Sequence, residues 1–182
     1  FAFVSWEMFI SNATDHTLLN TFGIVVSMYA LYIEVKKAKD KNYVAICDIS
    51  DRMSCSKVLT SKYGKGFGIV GLLVGNDHFL NMPNCILGII FYILQLTLGY
   101  IVAPWSNTAL FYLSVASCIG SLYLACILFF VLKDICLICI TTYFINGGLI
   151  AELAVTFSTL PFSELVKNKN SSIFINLFLL TN

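Results

Sequence analysis

Long apolar stretches, separated by short polar segments, dominate the chain. A helix needs about 20 mainly apolar residues to cross the hydrocarbon core of a bilayer. We predict one transmembrane helix in each of four runs: residues 17–35, 85–103, 108–132 and 136–156. The connections between the last three runs are short, which is typical of an up-and-down bundle. The predicted fold class is an all-α integral membrane protein, a four-transmembrane-helix bundle with a large loop or cap between helices 1 and 2.

The apolar pattern also predicts how the chain divides. Residues 1–16 mix polar and aromatic positions without a basic start or a cleavage site, so we expect an interfacial or flexible leader, with His16 in a solvated turn. Residues 17–157 form the four-helix catalytic domain, and its loop or cap spans residues 36–84. The Ser-, Asn- and Lys-rich residues 158–182 are expected to form a tail at the interface or in solution.

Composition supports a membrane protein and excludes several other classes. The chain is 58% hydrophobic and 12% charged, and its mean hydropathy is +0.84. A net charge of +1 argues against nucleic acid as a partner. The glycines between residues 62 and 68 match neither a dinucleotide-binding nor a P-loop spacing, so they indicate tight turns rather than a nucleotide site.

The candidate chemistry lies at the start of the fourth run, where two cysteines follow the charged pair at residues 133–134. Asp134 is predicted to cap the helix, which would place Cys136 and Cys139 in its first turn on one face. The positive end of the helix dipole favours the reactive thiolate there. Tyr143 lies one turn further along the same face. This pattern is typical of a redox site.

The order of the helices predicts which parts of the chain meet. If each run crosses once, the large loop, Asn84 and the C-x-x-C pair share one side of the membrane. Cys47 and Cys55 of the loop can then approach Cys136 and Cys139, as an electron relay between two dithiols requires. The absence of a nearby histidine and the spacing of the pairs argue against a zinc site, and we expect no bound metal or cofactor.

Two arguments about orientation disagree. Eight of the eleven Lys and Arg residues fall between residues 36 and 65, and the positive-inside rule would place them in the cytoplasm. Cycling disulfides need an oxidising compartment such as the lumen of the endoplasmic reticulum. We favour the lumen, because a reducing compartment would keep the relay permanently reduced.

Several segments together resemble the vitamin K epoxide reductase family, with the spacings of the animal enzymes from about residue 31 to residue 149. They are Cys47-Asp48, Ser54-Cys55-Ser56, Lys62-Tyr63-Gly64-Lys65-Gly66-Phe67-Gly68, Leu80-Asn81-x-x-Asn84, Phe91-Tyr92-x-Leu94-Gln95-Leu96 and Cys136-x-x-Cys139-x-Thr141-Thr142-Tyr143. The chain departs from that pattern at Tyr63, where the family commonly has Trp.

The resemblance implies an enzyme of the endoplasmic reticulum membrane that reduces vitamin K 2,3-epoxide to the quinone and the quinone to hydroquinone. It implies that Cys139 attacks the substrate and that Cys136 resolves the adduct. Cys47 and Cys55 would carry electrons from a thioredoxin-like luminal protein, with Cys55 reaching Cys136. Coumarin-type inhibitors would occupy the substrate pocket.

The resemblance also implies how the substrate is held. Asn84 and Tyr143 would hydrogen-bond the two quinone oxygens. A flat, apolar naphthoquinone needs an apolar slot between these donors. The candidate walls of that slot are Leu59, Phe67, Leu87, Phe91 and Leu124.

Two other functions remain open at this point. A disulfide-forming membrane enzyme would run the same chemistry toward ubiquinone and oxidise secreted proteins. A structural tetraspanner with an adhesive, disulfide-bonded loop would need no chemistry, but it leaves a cysteine pair at the start of a helix unexplained.

Overall fold

The computed structural model describes residues 2–50, 52–71, 75, 81–101 and 105–159, with side chains of the first and last helices described from residue 14 and up to residue 154. Its longer helices and the short helix of the loop are α1 (Ala2–Lys39), α2 (Cys55–Leu59), α3 (Asn84–Tyr100), α4 (Ser106–Cys126) and α5 (Leu137–Thr159). α4 continues into a π-helical segment (Ile127–Leu132), and two 3-10 turns (Lys62–Gly64 and Gly66–Gly68) follow α2.

The apolar segments form helices as the sequence predicts, and the structure is that of a helical membrane protein. Within the described residues, three segments are long and apolar enough to cross a bilayer: Thr14–Lys39, Ser106–Leu132 and Leu137–Ala154. α3 is apolar but has 17 residues, so a fourth crossing stays a prediction. The end predicted for that helix, at residue 103, lies outside the described residues. The predicted tail also lies outside them, except for residues 158–159, which belong to the last helix.

The first helix is longer than the sequence pattern predicts. α1 begins at Ala2, so the backbone of the predicted leader continues directly into the first spanning helix. The interpretation of His16 as a solvated turn residue is wrong. His16 is only 8% exposed, and its imidazole ring lies against Gly99 of α3. A glycine at that point of α3 gives the ring room, which no pattern within α1 alone could indicate.

The interior of the bundle lies where α1 packs against α3 and α5, while α5 also packs against α4. Around the start of α5 the core is formed by buried residues of α1, the loop and α5, among them Ile33, Val58 and Ile138. This packing brings the loop onto the bundle at the end that carries the C-x-x-C pair.

The glycines of α5 only partly act as small residues for close helix packing. A methyl group added at Gly148 would touch Leu19 of α1, but one added at Gly147 would meet nothing within 4 Å. Gly148 therefore allows a close approach of α1 and α5, whereas Gly147 has no such role among the described residues.

Gly64 and Gly147 make a matched pair for testing the packing of the loop. We expect Gly64→Ala to destabilise the fold by about 1–3 kcal/mol, since the added methyl would fall on the backbone carbonyl oxygen of Leu59. Gly147→Ala meets open space in the middle of a helix and should be neutral or slightly stabilising. Thermal unfolding of the purified variants in detergent measures both, and equal midpoints would contradict the packing around Gly64.

Candidate active site

The start of α5 differs from the predicted capping arrangement. Asp134 does not cap the helix, because it lies too early and is occupied by an ion pair with Lys57, whose Nζ is 2.8 Å from the carboxylate. Cys136 directly precedes the helix, and its sulfur accepts a hydrogen bond from the backbone N–H of Cys139 at 3.3 Å. The Cys136 thiol therefore caps the first turn of α5, which is the role predicted for the Asp134 carboxylate.

Backbone pairing attaches the loop to the segment before α5. The N–H of Ser54 donates to the carbonyl of Ile135 at 3.1 Å, and the N–H of Ile135 donates to the carbonyl of Arg52 at 2.8 Å. These two bonds, with the ion pair at Asp134, fix the first turn of α2 beside the C-x-x-C pair. The structure therefore brings the loop cysteines and the helix cysteines together, as the order of the helices predicts.

The four cysteines form a continuous series of contacts. Cys47 and Cys55 are hydrogen-bond neighbours, and the Cys55 thiol also lies 3.8 Å from the Cys47 carbonyl oxygen. Cys55 contacts Cys136, and Cys136 contacts Cys139. Cys55 and Cys136 are fully buried, Cys47 is 8% exposed and Cys139 is half-buried. Cys55 therefore lies between Cys47 and Cys136, and Cys136 lies between Cys55 and Cys139.

Electrostatics keep the loop thiols protonated near neutral pH. Burial, with the neighbouring Cys55 thiol and the Asp48 carboxylate, raises the pKa of Cys47 to about 12. The hydrogen bond to Cys136, together with burial, raises the pKa of Cys55. Because the thiolate is the attacking form in disulfide exchange, both thiols should become more reactive as the pH rises.

Asp48 holds the two loop cysteines in place. Its carboxylate accepts hydrogen bonds from the N–H of Ala45 at 2.9 Å and from the hydroxyl of Ser54 at 3.0 Å. It also accepts from the N–H and the hydroxyl of Ser56, at 2.9 and 2.6 Å. Although burial raises the pKa of Asp48, the bonds from Ser56, Ala45 and Ser54 outweigh burial and lower it. One carboxylate thus connects the chain before Cys47 to the chain around Cys55.

We expect Asp48→Asn to destabilise the protein by about 1–3 kcal/mol, since an amide cannot accept all of these bonds. The pKa of Asp48 is lower in the folded than in the unfolded protein. Its contribution is therefore complete above the unfolded value of about 3.9 and disappears as the pH falls through the folded value. Urea unfolding measures the free energy of unfolding of the Asp48→Asn variant and of the parent. The difference between them should be smaller at pH 3 than at pH 7. Asp40→Asn, at an exposed turn, is the control and should have little effect. Equal stability of Asp48→Asn and the parent at pH 7 would contradict this role.

An apolar cavity of about 390 Å³ lies between the bundle and the loop. Its volume is within the range of small-molecule sites. Cys139 opens onto it, and all seven side chains predicted to hold the substrate line it: Leu59, Phe67, Asn84, Leu87, Phe91, Leu124 and Tyr143. Cys47, Cys55 and Cys136 are not among the lining residues, so Cys139 is the member of the thiol series that a molecule in the cavity would meet.

Asn84 fastens the loop over the cavity. Its amide oxygen accepts from the N–H of Phe67 at 2.9 Å, and its amide nitrogen donates to the carbonyl of Tyr63 at 2.7 Å. Phe67 is held at φ 56°, a left-handed conformation that costs free energy for a residue with a side chain. Its ring lies across the cavity against Gly120. Asn84 is thus at once a wall residue and the anchor of the loop.

The remaining cysteines differ in their surroundings. Cys126 is exposed on α4, and Cys118, on the same helix, does not line the cavity. Cys85, in contrast, lines the cavity and donates a hydrogen bond to Glu34. Sequence reasoning missed this contact, because the two residues are 51 positions apart and no local pattern connects them. Within the described ranges, no cluster of three or more His, Cys, Asp or Glu side chains is placed to hold a metal ion.

A dithiol at the end of a helical bundle, open to an apolar cavity and close to two further thiols, is the arrangement expected of a membrane oxidoreductase. Comparison with known proteins agrees. The profile described as "Vitamin K epoxide reductase family" matches residues 16–153. Vitamin K epoxide reductase complex subunit 1 of Mus musculus is 46% identical over 139 residues, covering 76% of this chain and 84% of the mouse protein. The protein of the same name from Rattus norvegicus is 45% identical over the same shares. The chain belongs to the vitamin K epoxide reductase family.

Proposed function

We propose that the protein reduces vitamin K 2,3-epoxide to the quinone and the quinone to hydroquinone. The names of the rodent relatives and the family match support this substrate class. The single observation that carries the proposal is the cavity, which joins Cys139 to Asn84, Tyr143 and the five apolar walls. Its apolar lining suits a fused aromatic ring, and the two polar side chains suit the oxygens of that ring.

In the proposed reaction the Cys139 thiolate attacks a ring carbon and one epoxide C–O bond breaks. Cys136 then attacks the Cys139 sulfur, the carbon–sulfur bond breaks, and its electron pair expels the oxygen as water after protonation. The dithiol loses two electrons and two protons, and the epoxide gains both. The contact between Cys136 and Cys139 supports such direct resolution.

The resulting disulfide is re-reduced through the loop in this proposal. Cys55 attacks Cys136, and Cys47 then attacks Cys55, which leaves a Cys47–Cys55 disulfide for an external reductant. The series of contacts from Cys47 to Cys136 supports this order. The external reductant is proposed to be a thioredoxin-like protein of the lumen, and the membrane that of the endoplasmic reticulum, with the loop and the C-x-x-C pair facing the lumen. Coumarin-type inhibitors are proposed to compete for the cavity.

Turnover by the purified protein tests the proposal directly. The protein in detergent or lipid is mixed with vitamin K epoxide and a membrane-permeant dithiol, and the products are separated by chromatography. We expect quinone first and hydroquinone later. Cys139→Ser is the matched inactive variant, because it keeps the shape of the side chain and removes the nucleophile. Equal product from both proteins would refute the proposed chemistry.

A further inference from the structure

A buried carboxyl group and a buried thiol lie side by side at the wall of the cavity, and the proposed reaction uses neither. The Cys85 thiol donates to the Glu34 carboxylate oxygen, with sulfur and oxygen 3.3 Å apart. Cys85 is 7% exposed and Glu34 is 8% exposed. Isolated carboxyl groups are rarely buried in apolar surroundings, and those buried inside membrane bundles commonly serve a function.

The position of this pair connects the cavity with the loop. Cys85 lines the cavity directly after Asn84, whose amide is proposed to bind a substrate oxygen. Glu34 lies behind Cys85, toward the end of α1. The charged group that acts on Glu34 from the loop is Lys65, which is exposed. The carboxyl group therefore contacts a thiol in the cavity wall and is influenced electrostatically by a solvated cation.

We infer that Cys85 and Glu34 deliver a proton to the substrate oxygen that becomes negatively charged as the epoxide opens. This inference rests on the proposed function. The Cys85 thiol gives its proton to that oxygen, and the acid form of Glu34 returns a proton to the Cys85 thiolate. Glu34 regains its proton from those that the Cys136–Cys139 dithiol releases as it is oxidised. The pair therefore ends as it began, and no further oxidant or reductant is needed.

An oxygen that develops charge in an apolar cavity needs such a donor. General acid catalysis typically contributes about 10²–10⁴ in rate. Near neutral pH the concentration of free acid in solvent is low, so a donor held in the cavity wall supplies the proton faster. In this assignment Cys85 is the group that meets the substrate, and Glu34 is a positioning residue that acts through it.

The test is the rate of epoxide reduction by the full chain, with a membrane-permeant dithiol, across pH 6–9 and in H₂O and D₂O. We expect Glu34→Gln and Cys85→Ala to lower kcat about 10²-fold at pH 8, with KM nearly unchanged. The deficit should narrow as the pH falls, because solvent acid then replaces the pair. The solvent isotope effect should rise, and Cys85→Ser, which keeps a transferable proton, should retain most of the activity.

Two further variants separate proton delivery from a packing role. The double variant Cys85→Ala/Glu34→Gln should be no slower than the slower single variant, because the residues act as one unit. It also leaves no unpaired carboxyl group, so it is the more robust protein for this comparison. Cys126→Ala, which removes an exposed cysteine away from the cavity, should match the parent.

Parent-like kcat, pH profile and isotope effect in the folded variants would overturn the inference, even if their folded yield were lower. Those results would not contradict the proposed function, which is tested separately. It holds as long as the parent reduces the epoxide and Cys139→Ser does not. A parent protein that fails to reduce the epoxide would refute both the function and the inference.

Discussion

Replacement of Cys139 or Cys136 by alanine is expected to reduce epoxide turnover to the uncatalysed level with every reductant. Each two-electron step needs attack by one sulfur and resolution by the other, so neither thiol can act alone. Cys139 opens onto the cavity and Cys136 is fully buried behind it. Chromatography of the products, with a protein reductant and separately with a small dithiol, measures this loss.

Cys47→Ala should behave differently, because it interrupts the series at its outer end. Activity with a protein reductant should be lost, whereas a membrane-permeant dithiol can reach Cys139 through the cavity and should preserve most of it. Cys126→Ala is the control for cysteine removal and should be active with both. An equal loss of Cys47→Ala activity with both reductants would reject the proposed path of the electrons.

The Cys139→Ala protein also offers a direct view of that path. In the oxidised Cys139→Ala protein, Cys136 can attack the Cys47–Cys55 disulfide, and no Cys139 thiol is present to release Cys55 from the product. A Cys55–Cys136 disulfide should therefore accumulate, since these two sulfurs are already in contact. Peptide mapping by mass spectrometry would detect the linked pair. Finding only Cys47–Cys55 linkage would speak against the proposed order.

The second large effect is expected at the polar side chains of the cavity. We expect Asn84→Ala to lower the rate of epoxide reduction by about 10²–10³, the usual effect of removing one donor from a buried oxyanion site. Tyr143→Phe removes one hydroxyl and keeps the ring, so it should fold normally and lose less activity. Both variants should retain a titratable Cys136–Cys139 pair.

Asn84 also anchors the loop, so its two roles need to be separated. Asn84→Asp keeps an acceptor for the N–H of Phe67 but loses the donor, both for the Tyr63 carbonyl and for a substrate. If donation to the substrate dominates, Asn84→Asp should be as slow as Asn84→Ala while more of its loop remains protected from proteolysis. Full epoxide turnover in Asn84→Ala and Tyr143→Phe would refute this placement of the substrate.

The sequence predicts much of this structure, because strong apolar periodicity and cysteine spacing are local signals. The helices, the meeting of Cys55 with Cys136, and the convergence of wall residues such as Leu59 and Leu124 all follow from segment order or from the family resemblance. Other contacts between segments that are distant in the sequence could not be predicted from these signals. Asp134 was expected to cap α5, but Lys57 of the loop occupies it. His16 is buried against a glycine of α3, which leaves room for the imidazole ring.

The burial of the inner thiols has a consequence for which reductants the protein accepts. Water-soluble thiols such as glutathione carry charges, and transfer of a charge into an apolar cavity is strongly unfavourable. Cys55 and Cys136 have no exposed surface, and Cys139 is reached through an apolar cavity. The abundant charged thiols of a cell should therefore be excluded by solvation alone, while a lipid-soluble dithiol enters freely. The bilayer and the cavity together would then select reductants by how well they partition from water into an apolar phase. A polar electron donor would have to react at Cys47 instead.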